Sequence, residues 1–177
     1  MSALHGAALP PSPWIERWGA LVPRGSTVLD VACGGGRHSR WFAARGHPVL
    51  AVDRDPAIAA WASGLPGTCA RVADLESGPW PFPGETFGAV VVTNYLHRPL
   101  LATLVAAVAP GGVLLYETFA DGNARFGKPS NPAFLLQPGE LLATVQGQLR
   151  VVAYEDLQVE QPAQAMVQRI AARRESP

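Results

Sequence analysis

Residues 30–37 read Asp-Val-Ala-Cys-Gly-Gly-Gly-Arg, and they follow the short apolar run Thr27-Val28-Leu29. A strand that ends in an acid, runs into three glycines and then into a helix is a ligand-binding turn, because glycine lets backbone approach a ligand closely. A dinucleotide site would need G-x-G-x-x-G with pyrophosphate at the helix N-terminus. Here Gly34 and Gly36 are followed by Ser39 where the third glycine would stand. Asp30 would repel a pyrophosphate and suits a cationic ligand instead.

Outward from this turn the chain alternates strand and helix signals. Thr27–Val31 is the first strand, and Arg37–Arg45 is a helix closed by Gly46. Pro48–Val52 is a second strand, Asp55-Pro56 opens a helix to about Ser63, and Thr68–Ala73 is a third strand. Phe87–Thr93 (FGAVVVT) has the almost continuous apolar character of a buried parallel strand. Arg98–Ala109 is expected as one helix with Pro99 in its first turn, Pro110-Gly111-Gly112 as a turn, and Val113–Phe119 as a fifth strand. A short helix at Glu140–Val145 and two strands, Leu149–Leu157 and Gln164–Ala171, complete the pattern. Such alternation implies an α/β fold with a mostly parallel sheet covered on both faces.

Before the first strand, Ser12-Pro13 is a helix start. Trp14, Ile15, Trp18, Leu21 and Val22 share one helical face, and Pro23-Arg24-Gly25 ends it. Residues 1–11 are expected to be a flexible leader and 12–177 a single domain. Ala120–Gly139 is rich in Gly, Pro and Asn without periodicity, the character of a binding loop or lid.

In an open parallel sheet, ligands sit at the carboxyl ends of the strands. Asp30, Asp53, Asp74 and Asn94 fall at four such ends. Asp53 can accept both hydroxyls of a ribose, and Asp74 can accept from an adenine amine beside apolar neighbours.

Taken together, Asp30–Gly36, Asp53, Asp74, Phe87–Val92 and Pro110-Gly111-Gly112 resemble the class I S-adenosylmethionine (SAM)-dependent methyltransferases. The likeness covers about residues 26–119 in order and spacing. The turn Gly36-Arg37-His38-Ser39 is similar to the small bacterial tellurite-resistance-type branch. The resemblance implies a Rossmann-like three-layer sandwich whose seven-stranded sheet has its last strand antiparallel. It implies SAM as cofactor, with S-adenosylhomocysteine (SAH) as product. It assigns Asp30 and the Ala32–Gly36 loop, with Ala32, Cys33, Gly34 and Gly36, to the methionine end, Asp53 to the ribose, Asp74 and Leu75 to adenine, and Asn94 and Tyr95 to the border of the methyl-transfer site. Arg54 is expected among the cofactor-binding residues, and Arg37 either contacts the SAM carboxylate or an anionic acceptor, or lies on the surface. Ala32 departs from the glycine usual there.

Tyr95 and His97 are the candidate catalytic residues, His97 as a general base near neutral pH. The competing structural reading makes His97 a locally bonded helix-start residue. Glu117 is expected either at the acceptor pocket or paired with Arg98 or Arg125. Cys33, at a helix start, has no nucleophile's partners in the pattern and reads as a packing residue.

Composition narrows the partners. The formal net charge is zero over 177 residues, which argues against extended nucleic-acid binding and leaves only a local patch at Arg173 and Arg174. A small-molecule acceptor is the expectation, and a non-catalytic SAM- or SAH-binding subunit is the alternative. Two unpaired cysteines with no metal-ligand spacing point to a reducing cytoplasm and to chemistry without a metal. No apolar run has the length of a membrane span.

Overall fold

The computed structural model describes residues 9–177. The expected leader over 1–11 therefore lies largely outside the described residues. Seven strands form one sheet: β1 (Val28–Val31), β2 (Val49–Asp53), β3 (Thr68–Val72), β4 (Phe87–Thr93), β5 (Val108–Phe119), β6 (Arg150–Val159) and β7 (Ala165–Arg173). Their order is β3-β2-β1-β4-β5-β7-β6. The first five run parallel, and β7 enters antiparallel between β5 and β6. Strand order reverses between β1 and β4, which makes their carboxyl ends the crevice of this fold.

Among the described residues, five short helices cover the sheet: α1 (Pro13–Trp18), α2 (Arg37–Ala43), α3 (Ile58–Ser63), α4 (Leu101–Ala106) and α5 (Glu140–Val145). Strand periodicity sorts the core into two layers. Val28, Ala89, Val91, Val113 and Leu115 face Trp14 and Ile15 of α1 and Phe42 of α2. Leu29, Val31, Val90, Val92 and Leu114 face Leu104 and Val105 of α4 and Leu141 and Val145 of α5. β4 is buried along six of its seven residues, as its unbroken apolar run requires.

The N-terminal helix begins where Ser12 and Pro13 predict. The Ser12 hydroxyl accepts from Trp14 N at 3.1 Å. The helix is shorter than its apolar face suggests and continues as a 3-10 turn at Gly19–Leu21. A side chain at Gly19 would collide with the Trp41 ring, so close packing on α2 sets that position.

Two expectations change. The single helix over Arg98–Ala109 is a 3-10 turn at Arg98–Leu100 followed by α4, which stops at Ala106. Pro110-Gly111-Gly112 is not a free turn before the fifth strand. It is an irregularity inside β5, which already pairs with β4 at Phe87↔Val108. The cause lies at the far end of the chain: Gly111 N donates to Arg174 O at 2.8 Å, and Arg174 N donates to Gly112 O at 3.0 Å. Backbone that finds partners in this way stays in the sheet.

Candidate active site

The glycine turn folds back on itself through Asp53. One Asp53 oxygen accepts from Gly34 N at 2.9 Å and the other from Asp55 N at 3.0 Å. Each carboxylate oxygen has two lone pairs, so both keep acceptor capacity for a ligand. The turn needs left-handed backbone at Ala32 (φ +50°), Gly34 (φ +51°) and Gly36 (φ +77°). Gly36 is also packed from outside: a Cβ there would lie 2.5 Å from the Trp61 ring, whose indole N–H donates to Gly34 O at 3.2 Å. Trp61, on α3, is a support of the turn that its own sequence neighbourhood does not signal, since the contact spans more than one element.

Ala32 carries a Cβ into a region that costs L-residues about 1–2 kcal/mol. The variant Ala32→Gly is expected to unfold at higher urea concentration, by up to about 1 kcal/mol once glycine's extra chain entropy is subtracted. A lower midpoint would mean the methyl group packs productively.

Asp30 lies beneath the turn, 2 % exposed, on the face of β1 that meets α2. Its Oδ2 accepts from Ser39 Oγ at 2.6 Å. Burial pushes its carboxyl up from 3.8 to about 6, while the Ser39 hydrogen bonds and Arg37 pull the other way. Ser39, which takes the place of a dinucleotide site's third glycine, therefore serves the buried acid. The Cys33 thiol is raised above its ordinary range by burial first and by Asp30 and Asp53 next, so it is no thiolate nucleophile. Arg37 turns its guanidinium to Pro10 O at 3.3 Å. His38 is buried and pushed down to about 3, by desolvation and then by Arg37. It is a neutral structural imidazole that accepts from Ser12 N at 3.0 Å.

Beside the turn is a cavity of about 280 Å³. It brings together Ala32, Asp53, Arg54, Asp74, Leu75 and Tyr95 from the sequence-derived set, and adds Ala73 and Glu76. Asp30 is buried, and neither it nor Cys33, Gly34, Gly36, Arg37, Asn94 or His97 lines the cavity. Asp74 is partly engaged by its own turn, accepting from Glu76 N at 2.9 Å and from Ser77 Oγ at 2.6 Å. Those bonds, that to Ser77 first, hold its carboxyl below the ordinary range.

On the other side, Asn94 adopts φ +53° and its N–H donates to Glu117 O at 3.0 Å. Tyr116 Oη donates to Tyr95 O at 2.7 Å. Arg98 pairs with Glu140 at 2.7 Å and donates to Ala133 O and Leu135 O, at 3.0 and 2.7 Å. The segment after β4 is thereby laced to the 120–139 loop. That loop is pinned in turn by a bridge between Ala120 and Leu136 and by buried Asn123, which accepts from Met166 N at 3.0 Å. Glu117 pairs with neither Arg98 nor Arg125. It accepts from Ser12 Oγ at 2.5 Å and from Arg169 at 3.0 Å, a role invisible in sequence because those partners lie 105 and 52 residues away.

Residues 28–112 match the family model described as a methyltransferase domain. Over those residues the chain carries a methyltransferase domain. Solved structures with the same fold include TehB from Haemophilus influenzae (TM-score 0.71, 18% identity, covering 99% of this chain and 64% of that one). They also include the Burkholderia thailandensis 1,6-didemethyltoxoflavin-N1-methyltransferase, solved with 1,6-didemethyltoxoflavin and SAH (TM-score 0.69, 22% identity, covering 93% and 77%). A third is a TehB-like SAM-dependent methyltransferase from Corynebacterium glutamicum (TM-score 0.65, 21% identity, covering 92% and 87%). The chain thus spans under two thirds of the Haemophilus protein's length. No curated protein matches the chain by sequence. Among the described residues, no helix is long and apolar enough to cross a membrane.

Proposed function

We propose that this methyltransferase domain binds SAM in the cavity beside the glycine turn and transfers its methyl group to a small-molecule acceptor. The observation that carries the reading is the meeting of Ala32, Asp53, Asp74 and Leu75 on one cavity at the point where strand order reverses. The residues present fit the cofactor. Asp53 retains lone pairs for two ribose hydroxyls. Leu75 and Ala73 offer apolar cover for a base, and Asp74 an acceptor for its amine. The buried Asp30 carboxylate below the turn complements a cationic amino-acid end.

When bound, SAM supplies a methyl group on a sulfonium, already a good leaving group. What remains for this chain is to hold the acceptor in line and to exclude water. The Asn94–Arg98 segment and the 120–139 loop, laced by Arg98 and Tyr116, form the wall on which we expect the acceptor to dock. The toxoflavin-precursor enzyme acts on a small molecule, and this chain's zero net charge suits such a substrate.

The test is calorimetric titration with SAM and SAH of wild type and of Asp53→Ala. One-site binding, weakened about tenfold or more by loss of the ribose-accepting carboxylate, is the expected result. A folded wild-type protein that binds neither would end the reading.

One observation favours the second reading, a SAM- or SAH-binding subunit without transferase activity. Of the two candidate proton carriers, Tyr95 is pushed by burial to about 12, and His97 does not line the cavity. Methylated product from any acceptor that needs no deprotonation would decide for the enzyme.

A further inference from the structure

Three adjacent glycines, Gly34 to Gly36, have no side chains to pack, and glycine loses more conformational freedom on ordering than any other residue. A ligand that needs such a turn in one shape must supply the ordering itself unless the free protein supplies it first. Here the free protein supplies it. The β2–α3 unit grips Gly34 at both of its polar groups. Asp53, at the end of β2, accepts from the Gly34 N–H at 2.9 Å, and Trp61, on α3, donates its indole N–H to the Gly34 carbonyl at 3.2 Å. The next carbonyl, that of Gly35, accepts from the guanidinium of Arg40 on α2. Each peptide unit is planar, so a held carbonyl also fixes the direction of the N–H that follows it. Trp61 and Arg40 are joined to each other as well: the guanidinium carbon of Arg40 lies 4.9 Å from the centroid of the Trp61 ring. The same ring occupies the space a side chain at Gly36 would need. Both residues are half-buried, and neither lines the cavity. Asp53 divides its oxygens between the turn and the cavity, whereas Trp61 and Arg40 reach only the turn.

We propose that Trp61 and Arg40 form a clamp outside the cavity that presets the glycine turn for the cofactor. They are positioning residues: they touch no ligand and raise its affinity through the turn, and they work as one unit. The inference rests on the SAM-binding reading above. A cation over an indole face is attracted to it, so the stack holds both side chains in place. From that stack the indole N–H and the guanidinium reach two successive carbonyls. Loss of the indole takes away the surface that aims Arg40, and Trp61→Leu therefore forfeits most of what Arg40 contributes. The clamp lies 25 and 4 residues beyond Gly36, on two different helices, so it ties the β1–α2 unit to the β2–α3 unit at the point where the ligand enters.

Wild type, Trp61→Phe, Trp61→Leu, Arg40→Met and the double variant Trp61→Leu, Arg40→Met are compared by calorimetric titration with SAH and by amide exchange of the ligand-free proteins. Trp61→Phe keeps a ring against Gly36 and removes only the N–H, so we expect SAH to bind about threefold more weakly. We expect a similar loss in Arg40→Met and about a tenfold loss in Trp61→Leu. The double variant should stay within about twofold of Trp61→Leu, whereas independent residues would multiply to about thirtyfold. Amide exchange should quicken at residues 33–36 and keep its wild-type rates in β1 and β4. SAH affinity within twofold of wild type in Trp61→Leu overturns the proposal. So does weaker binding without faster exchange in the turn, or a double variant whose loss is the product of the single losses. If Trp61→Leu loosens β1 and β4 as well, Trp61→Phe decides, and wild-type SAH affinity there overturns the clamp. Wild type that does not bind SAH overturns the cofactor reading itself, and this proposal with it; wild type that binds, with variants that bind equally well, overturns only the proposal.

Discussion

Replacing Asp30 with Asn is expected to stabilise the ligand-free protein at pH 8 and to weaken its binding of SAM by about 10- to 100-fold. The two effects have one origin. Asp30 is buried, and its carboxyl is raised from 3.8 to about 6, with desolvation as the largest cause. A carboxyl held higher in the folded state binds its proton more tightly there than in the unfolded chain. The stability it contributes is complete below about 4 and is lost as pH rises through about 6. Above that window the buried charge costs on the order of 2–3 kcal/mol, which Asn avoids while still accepting from Ser39 Oγ. Wild type and variant should therefore converge in melting temperature near pH 4 and separate by pH 8. A cation arriving above the turn reverses the balance by favouring the carboxylate. Binding of SAM should release a proton between about pH 4 and 6, and affinity should fall as pH drops through that range. Asp30→Asn should show neither. Calorimetry in buffers of different ionisation enthalpy reads the proton release directly. A variant that is less stable at pH 8 and binds SAM as wild type does would sink the argument.

Much of this arrangement is legible in the sequence, and the reason is locality. Asp30, the glycine turn and Asp53 fall at strand ends that apolar runs of four to seven residues mark plainly. The parallel sheet follows from their alternation with helices, and the antiparallel last strand from the family likeness. What escapes is decided between distant segments. Trp61 packs on Gly36 across 25 residues, and no pattern within either element announces it. The Pro110-Gly111-Gly112 stretch reads as a turn, because turn chemistry is local. It is held in β5 by Arg174, 63 residues on. The side chain of Tyr95 is the sharpest case. Its position after β4 is clear from sequence, but its direction is a property of the cavity wall. Glu117 shows the same limit. Its place near the carboxyl end of β5 suggests an acceptor contact, and only the fold supplies Ser12 and Arg169 to occupy it.

That occupancy leads to the prediction with the largest expected effect on stability. Arg169, on β7, is shared by Glu117 at 3.0 Å and Glu155 at 2.6 Å, and its guanidinium lies 5.0 Å from the centroid of the fully buried Trp14 ring. Its side chain is only 18% exposed. Burial works against its charge, and the hydrogen bonds it donates to Glu117 and Glu155 more than offset it, so its proton is held more tightly than usual. Arg169→Met keeps most of the apolar stem but leaves two neighbouring carboxylates without their common cation. These groups are only partly buried, so water screens the stranded charges, and the loss is expected at about 2–3 kcal/mol, still more than the intact pair is worth against a hydrophobic substitute. The same ions fasten α1, because Glu117 accepts from the Ser12 hydroxyl that caps that helix and Glu155 pairs with Arg17 at 3.5 Å. We therefore expect a large loss of urea midpoint in Arg169→Met, with faster amide exchange concentrated in residues 12–21. The double variant Arg169→Met, Glu117→Gln should recover part of the loss by removing one stranded charge. Glu117→Gln alone should leave SAH affinity within twofold of wild type, because this carboxylate is spent on the N-terminal helix. A strong loss of SAH binding in Glu117→Gln would instead return Glu117 to the ligand side of the site.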